Sequence, residues 1–130
     1  MKLRQFALIF AVLVAIEASV FAYYYDDLLF LRRPMGLIVA GSPDGFRDRA
    51  ERALARERLT RSHLETIAQA ADAFGTVDLE VRALERLALD YRSDWNVRLR
   101  LADAHRRAGQ YGQAERLYRE VLEITSGSPR

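Results

Sequence analysis

Hydrophobic and polar positions divide the chain into two regimes. Residues 6–25 read FALIFAVLVAIEASVFAYYY, an apolar run in which Glu17 is the only charge. About twenty such residues match the hydrocarbon thickness of a bilayer and predict one membrane-spanning helix. Beyond Ser42 the apolar positions recur at helical spacing and are punctuated by capping and turn residues. Ser42-Pro43 supplies a cap and a first-turn proline for a helix reaching about Arg58. Ser62 with Glu65 has the form of a capping box, and Gly75 ends the helix that follows. Asp78 is placed to cap a helix reaching about Tyr91. Ser93 or Asp94 starts another that stops at Gly109, and a last one runs from about Gly112 to Ile124. Short turns between helices of similar length imply antiparallel neighbours. The expected fold class is all-α, an N-terminal transmembrane helix followed by a short antiparallel helical array. Residues 1–25 are the anchor, 26–43 a connecting segment, 44–125 the helical domain and 126–130 a flexible tail.

The apolar run supports two readings. Lys2 and Arg4 precede it and Asp26 and Asp27 follow, which favours a cytoplasmic N-terminus, although Arg32 and Arg33 weaken the asymmetry. Tyr23, Tyr24 and Tyr25 resemble an aromatic belt at the far interface. The alternative is a signal peptide cleaved after Ala22, where Val20-Phe21-Ala22 forms a suitable site. Glu17 fits that alternative, because a carboxylate at mid-membrane costs roughly 2.5–3.5 kcal/mol on insertion scales. If the helix stays, Ala7, Ala11, Ala15, Ala18 and Ala22 line one stripe on which a neighbouring helix can pack closely. At about 100° per residue Glu17 falls roughly 120° away, on the face of Phe10, Leu13 and Phe21. There it is expected to hydrogen-bond a partner helix, or simply to sit neutralised in an ordinary anchor.

The connecting segment holds two short apolar stretches, residues 28–31 and 37–40, with Arg32-Arg33-Pro34 between them. Pro34 predicts a helix break. A segment lying on the membrane and a flap over the first soluble helix both fit.

Gly75 and Gly109 lie about 34 residues apart, and the same shift carries Ile67 onto Leu101, Leu84 onto Tyr118 and Leu87 onto Val121. A further shift sets Ala50, Ala53 and Leu54 on Leu84, Leu87 and Ala88, so the helix after Pro43 reads as the second half of an incomplete repeat. Gly41 also falls on the period, but Pro34 interrupts the segment before it and the match reads as coincidence. With Leu101-Ala102, His105, Gly109, Tyr111, and Ala114 followed by Tyr118, residues 95–128 resemble a tetratricopeptide repeat of bacterial type. Residues 61–94 match less well, because Glu80 stands where an alanine is expected. Trp95 lies at the junction and Pro129 comes late. The resemblance covers the soluble part and implies about two and a half repeats.

In such arrays the first helix of each repeat lines a concave groove that binds peptides or partner helices. Carried over by register, the groove residues are Glu65, Gln69, Asp72, Asn96, Leu99, Asp103 and Arg106. Chaperone-binding members clamp a C-terminal carboxylate with lysine and asparagine. Glu65 and Gln69 occupy those places here and argue against that ligand. Arrays also usually end in a polar capping helix, whereas Val121, Leu122 and Ile124 are expected to be left partly open.

Composition narrows the chemistry. The chain carries 20 Lys+Arg against 18 Asp+Glu, interspersed without a basic block, which argues against nucleic acid. Lys2 is the only lysine, an arginine preference associated with GC-rich bacterial genomes. With no cysteine, disulfides and thiolate metal sites are excluded. His63 and His105 lack ligand partners at metal spacing, and His105 reads as a core or half-buried residue. No phosphate loop, nucleophile elbow or zinc motif is present, so no enzyme, cofactor or metal is expected. The expectation is a scaffold or assembly subunit of a complex in the bacterial inner membrane, its repeat domain periplasmic and its partners other membrane-embedded subunits. A second copy of the chain is a further candidate partner. The alternative is a secreted periplasmic adaptor or chaperone-like binder released at Ala22.

Overall fold

The computed structural model describes residues 2–127, with residues 23 and 24 given by their backbone. The described residues form helices α1 (Leu3–Leu31), α2 (Met35–Val39), α3 (Pro43–Leu54), α4 (Arg61–Phe74), α5 (Val77–Asp90), α6 (Trp95–Arg107) and α7 (Tyr111–Ser126). The fold is all-α, with one long apolar helix at the N-terminus. Of the expected tail, Ser126 is the last residue of α7 and Gly127 follows it, while residues 128–130 and the side chains of Tyr23 and Tyr24 lie outside the described residues.

The first helix does not stop at Tyr25. Asp26 and Asp27 continue it because α3 and the turn after it bring them cationic partners: Arg49 to Asp26 at 3.5 Å, and Arg52 and Arg56 to Asp27 at 2.9 and 3.7 Å. One turn further Leu31 is buried. The helix then closes with the N–H groups of Arg32 and Arg33 donating to the carbonyls of Leu29 and Phe30, and Pro34 prevents its continuation. The single turn of α2 buries Ile38 completely and packs on α4. Asp27, Leu31 and Ile38 thus tie residues 26–43 to the core, and α1 runs without a break past Tyr25.

Helix ends differ in detail from those expected. Ser42 caps α3 as expected, its Oγ accepting from the Gly45 N–H at 3.4 Å. The helix ends at Leu54 instead of near Arg58, where Arg86 donates to the carbonyls of Leu54 (2.9 Å) and Glu57 (3.2 Å). The cap of α4 is Thr60, whose Oγ1 accepts from the His63 N–H at 3.2 Å, while Ser62 lies inside the first turn. Asp78 likewise lies within the first turn of α5, turned to Arg47 at 2.8 Å. Asp94 caps α6 by accepting from the N–H groups of Asn96 and Val97.

Two turns repeat the same backbone bonding. Gly75 and Gly109 both take left-handed φ, 72° and 78°. Their N–H groups donate to Asp72 and Arg106, and the next N–H groups, of Thr76 and Gln110, donate to Ala71 and His105 at 2.9 Å. This is the Schellman closure that glycine permits without a Cβ penalty. Gly41 N–H donates to Ile38 in the corresponding place, but without left-handed φ. Gly41 therefore lacks the left-handed closure of the other two turns, and α2 packs on α4.

Sequential helices pack on one another from α4 to α7, with α3 on α5, α2 on α4, and α1 on α3 and α4. Ala50, Ala53, Ile67, Leu84, Leu87, Leu101 and Val121 are all buried, while Tyr118 and Ala88 are half-buried. Each fully buried leucine or isoleucine contributes about 1.5–3 kcal/mol. Phe46 meets Phe74 with ring centroids 5.1 Å apart and fastens α3 to the end of α4.

Candidate binding surfaces

The α4 and α6 helices border a cleft of about 300 Å³ lined by Gln69, Asp72, Glu80, Arg100, Asp103 and Arg107. The i, i+3 and i+4 spacing on α6 sets Arg100, Asp103 and Arg107 on one face. Facing them, Glu65 accepts from Arg100 at 2.6 Å and Asp72 from Arg107 at 3.1 Å. Arg107 also reaches Glu80 at 2.7 Å. Glu80 is 5 % exposed, and its second oxygen has no hydrogen-bond partner among the described residues. The carboxylate that departs from the repeat pattern is thus absorbed as a buried ion pair joining α5 to α6. Asp103 accepts from the Tyr118 hydroxyl, and that bond, with burial, holds the Tyr118 pKa above its ordinary value.

Of the seven groove residues expected, Gln69, Asp72 and Asp103 line this cleft and Glu65 borders it through Arg100. Asn96 is exposed in the first turn of α6, Leu99 is half-buried, and Arg106 is exposed beside Tyr118. Those three are outside the cleft. Arg100, Arg107 and Glu80 were missed. The sequence places Arg100 and Arg107 on one face of α6 on either side of Asp103, but which acids of α4 and α5 they meet depends on how the helices pack.

His105 is buried, as expected, with Nδ1 2.6 Å from Gln110 Oε1. Because an amide oxygen only accepts, Nδ1 carries the proton, and Nε2 faces Glu85 at 3.8 Å. His63, in the first turn of α4, is half-buried, its Nδ1 unpartnered among the described residues. Burial, with Arg32 and Arg56 nearby, holds its pKa below the ordinary 6.5. Among the described residues no three acidic or histidine side chains are grouped as a metal site requires.

Among the described residues, the first part of α1 and the outer face of α7 are left uncovered. The segment Leu3–Ala22 of α1 has a mean hydropathy of 2.2, and none of it is buried. That includes Ala7, Ala11, Ala15, Glu17, Ala18 and Ala22, all exposed. This helix is long and apolar enough to span a membrane, and a signal sequence has the same character. At the other end, Val121 is buried but Leu122 and Ile124 are 66 % and 43 % exposed. No protein-family model, curated protein or solved structure matches the chain.

Proposed function

We propose that the chain is a membrane-anchored scaffold of tetratricopeptide type, an accessory or assembly subunit of a bacterial inner-membrane complex. The observation that carries this reading is α1 itself. An apolar span with no covering continues without interruption into a helix end that is fixed to the domain core through Asp27 and Leu31. Val20-Phe21-Ala22 lies inside that continuous helix, which favours an anchor over a cleaved leader. Lys2 and Arg4 ahead of the span support a cytoplasmic N-terminus and a periplasmic domain. The repeat identity is supported by the matched turns at Gly75 and Gly109 and by apolar positions that stay buried under the same shift. Partners are taken up by the α4–α6 cleft, by the open face of α7 and by the span. Glu17, exposed on the span, is satisfied by a partner helix.

The test is intact mass and alkaline extraction of the native protein. A chain that keeps its leader and stays with the membrane pellet is expected. A soluble chain beginning at Tyr23 would sink the anchor and leave the periplasmic adaptor. Glu17→Leu is expected to lower recovery of crosslinked membrane partners, and unchanged recovery would remove Glu17 from the interface.

A further inference from the structure

We infer that the cleft between α4 and α6 receives the side chain of a lysine carried by a partner protein. The inference rests on the scaffold reading, which takes this cleft as a partner surface. Acceptors line it at graded depth. Gln69 and Asp72 are exposed at its rim, Asp103 is half-buried, and Glu80 is 5 % exposed. One oxygen of each carboxylate is already engaged. Asp72 Oδ1 and Glu80 Oε1 accept from Arg107 at 3.1 and 2.7 Å, and Asp103 Oδ1 accepts from the Tyr118 hydroxyl. The second oxygens of all three take no hydrogen bond among the described residues, and that of Glu80 is buried. A carboxylate oxygen buried without a partner is costly, and a donor brought from outside relieves that cost.

The arrangement selects the donor. A guanidinium binds best to both oxygens of one carboxylate, and no carboxylate lining this cleft has both to offer. An ammonium is compact and carries three N–H donors that turn to meet separate acceptors. The charge fits one ammonium as well. Four carboxylates, Glu65 among them, stand against Arg100, Arg107 and Arg106, the last beside Tyr118 and Asp103. Arg61, 3.9 Å from Glu65, is taken by Asp94. One negative charge is left among these groups, and a single lysine supplies its complement. A volume of about 300 Å³ with acceptors deepening toward Glu80 suits a long side chain entering head first. Lys2, the only lysine of this chain, lies ahead of α1, across the apolar span from the domain. The ammonium therefore comes from a different protein.

NMR of the isotope-labelled full chain in a zwitterionic detergent, titrated with an end-blocked alanine-lysine-alanine tripeptide, tests this. Saturable shifts are expected at the backbone amides of Gln69, Asp72 and Asp103. The arginine counterpart of the peptide is expected to bind about fivefold more weakly, and the peptide with an acetylated lysine not at all. Glu80→Gln, which keeps an acceptor for Arg107, is expected to weaken lysine binding about tenfold through the loss of one charge-assisted hydrogen bond. Asp103→Asn keeps an acceptor for Tyr118 and is expected to weaken it by a similar factor, a second test should the Glu80 variant fail to fold. Arg119→Ala on the outer face of α7 is expected to change nothing. Equal binding of the arginine peptide, or undiminished binding in either folded carboxylate variant, overturns the site. So does spermidine binding more tightly than the peptide, which would mark a site for a free polyamine. A chain that keeps its leader and its crosslinked partners but shows no lysine-dependent shifts sinks this inference alone, whereas a chain without leader or partners sinks the scaffold reading beneath it.

Discussion

Two buried carboxylates behave differently at the scale of single residues. Asp27 is enclosed and pairs with two arginines, one of them, Arg56, itself largely covered. Removing one member of a buried pair costs about 3–5 kcal/mol, less where the remaining charge reaches water. Arg52 does, so Asp27→Ala is expected to destabilise by about 2–3 kcal/mol in chemical denaturation of the full chain in detergent. Glu80→Ala inserts the residue that the repeat pattern asks for and leaves Arg107 with Asp72 at a half-exposed site. Its cost is expected within about 1 kcal/mol, and a loss as large as that of Asp27→Ala would refute this account. His63 adds a pH dependence. Its folded pKa is depressed, so the unfolded chain binds the proton first, and stability falls as pH drops below 6.5 toward the folded value. His63→Gln is expected to flatten that slope in melts taken across this range. Asp94 acts at lower pH. Its carboxylate is held below the ordinary 3.8 by Arg61 and by the backbone N–H groups of Val97 and Asn96. Its contribution is present above 3.8 and is lost as pH falls through the lower folded value. These pairs were not legible in the sequence. Asp27 meets residues of α3 and Glu80 one of α6, and an order of charges along a chain does not reveal which distant ones face each other.

Elements were more legible. Helices α3 to α7 follow from apolar periodicity and punctuation, because a period of 3.6 and a glycine stop are local properties. Their exact starts were less so. Threonine at 60 and serine at 62 are both competent caps, and the choice falls to the one whose hydroxyl reaches an open N–H once α4 has docked. Thr60→Ala is therefore expected to lower stability by about 1 kcal/mol and Ser62→Ala by only a few tenths, a contrast that thermal melts can resolve. At Gly75 and Gly109 a Cβ would meet nothing within 4 Å, so the cost of substitution lies in the backbone alone. Alanine at either is expected to cost about 1–2 kcal/mol, with similar losses at the two sites if the turns are equivalent. The continuation of α1 through Asp26 and Asp27 was not foreseen. Two adjacent acids read as the polar end of a span, and only the arginines of α3 turn them into part of a helix interior.

For the whole molecule, the division into a greasy leader and a polar helical domain was readable from composition and pattern alone. Of the cleft, the acids of α4 and Asp103 were legible through the repeat register, whereas the arginines that neutralise them depend on how far α6 sits from α4. The uninterrupted α1 joins the two regimes mechanically. A span longer or shorter than the local bilayer adjusts by changing its tilt, and a flexible linker would hide that change from the attached domain. Here Asp27 and Leu31 clamp the domain to the same helix whose first part is long and apolar enough to cross a membrane. In an anchored chain, a thicker or thinner bilayer would therefore swing the whole domain, as a weathervane turns with its shaft. The angle at which the α4–α6 cleft meets a neighbour would then depend on membrane thickness.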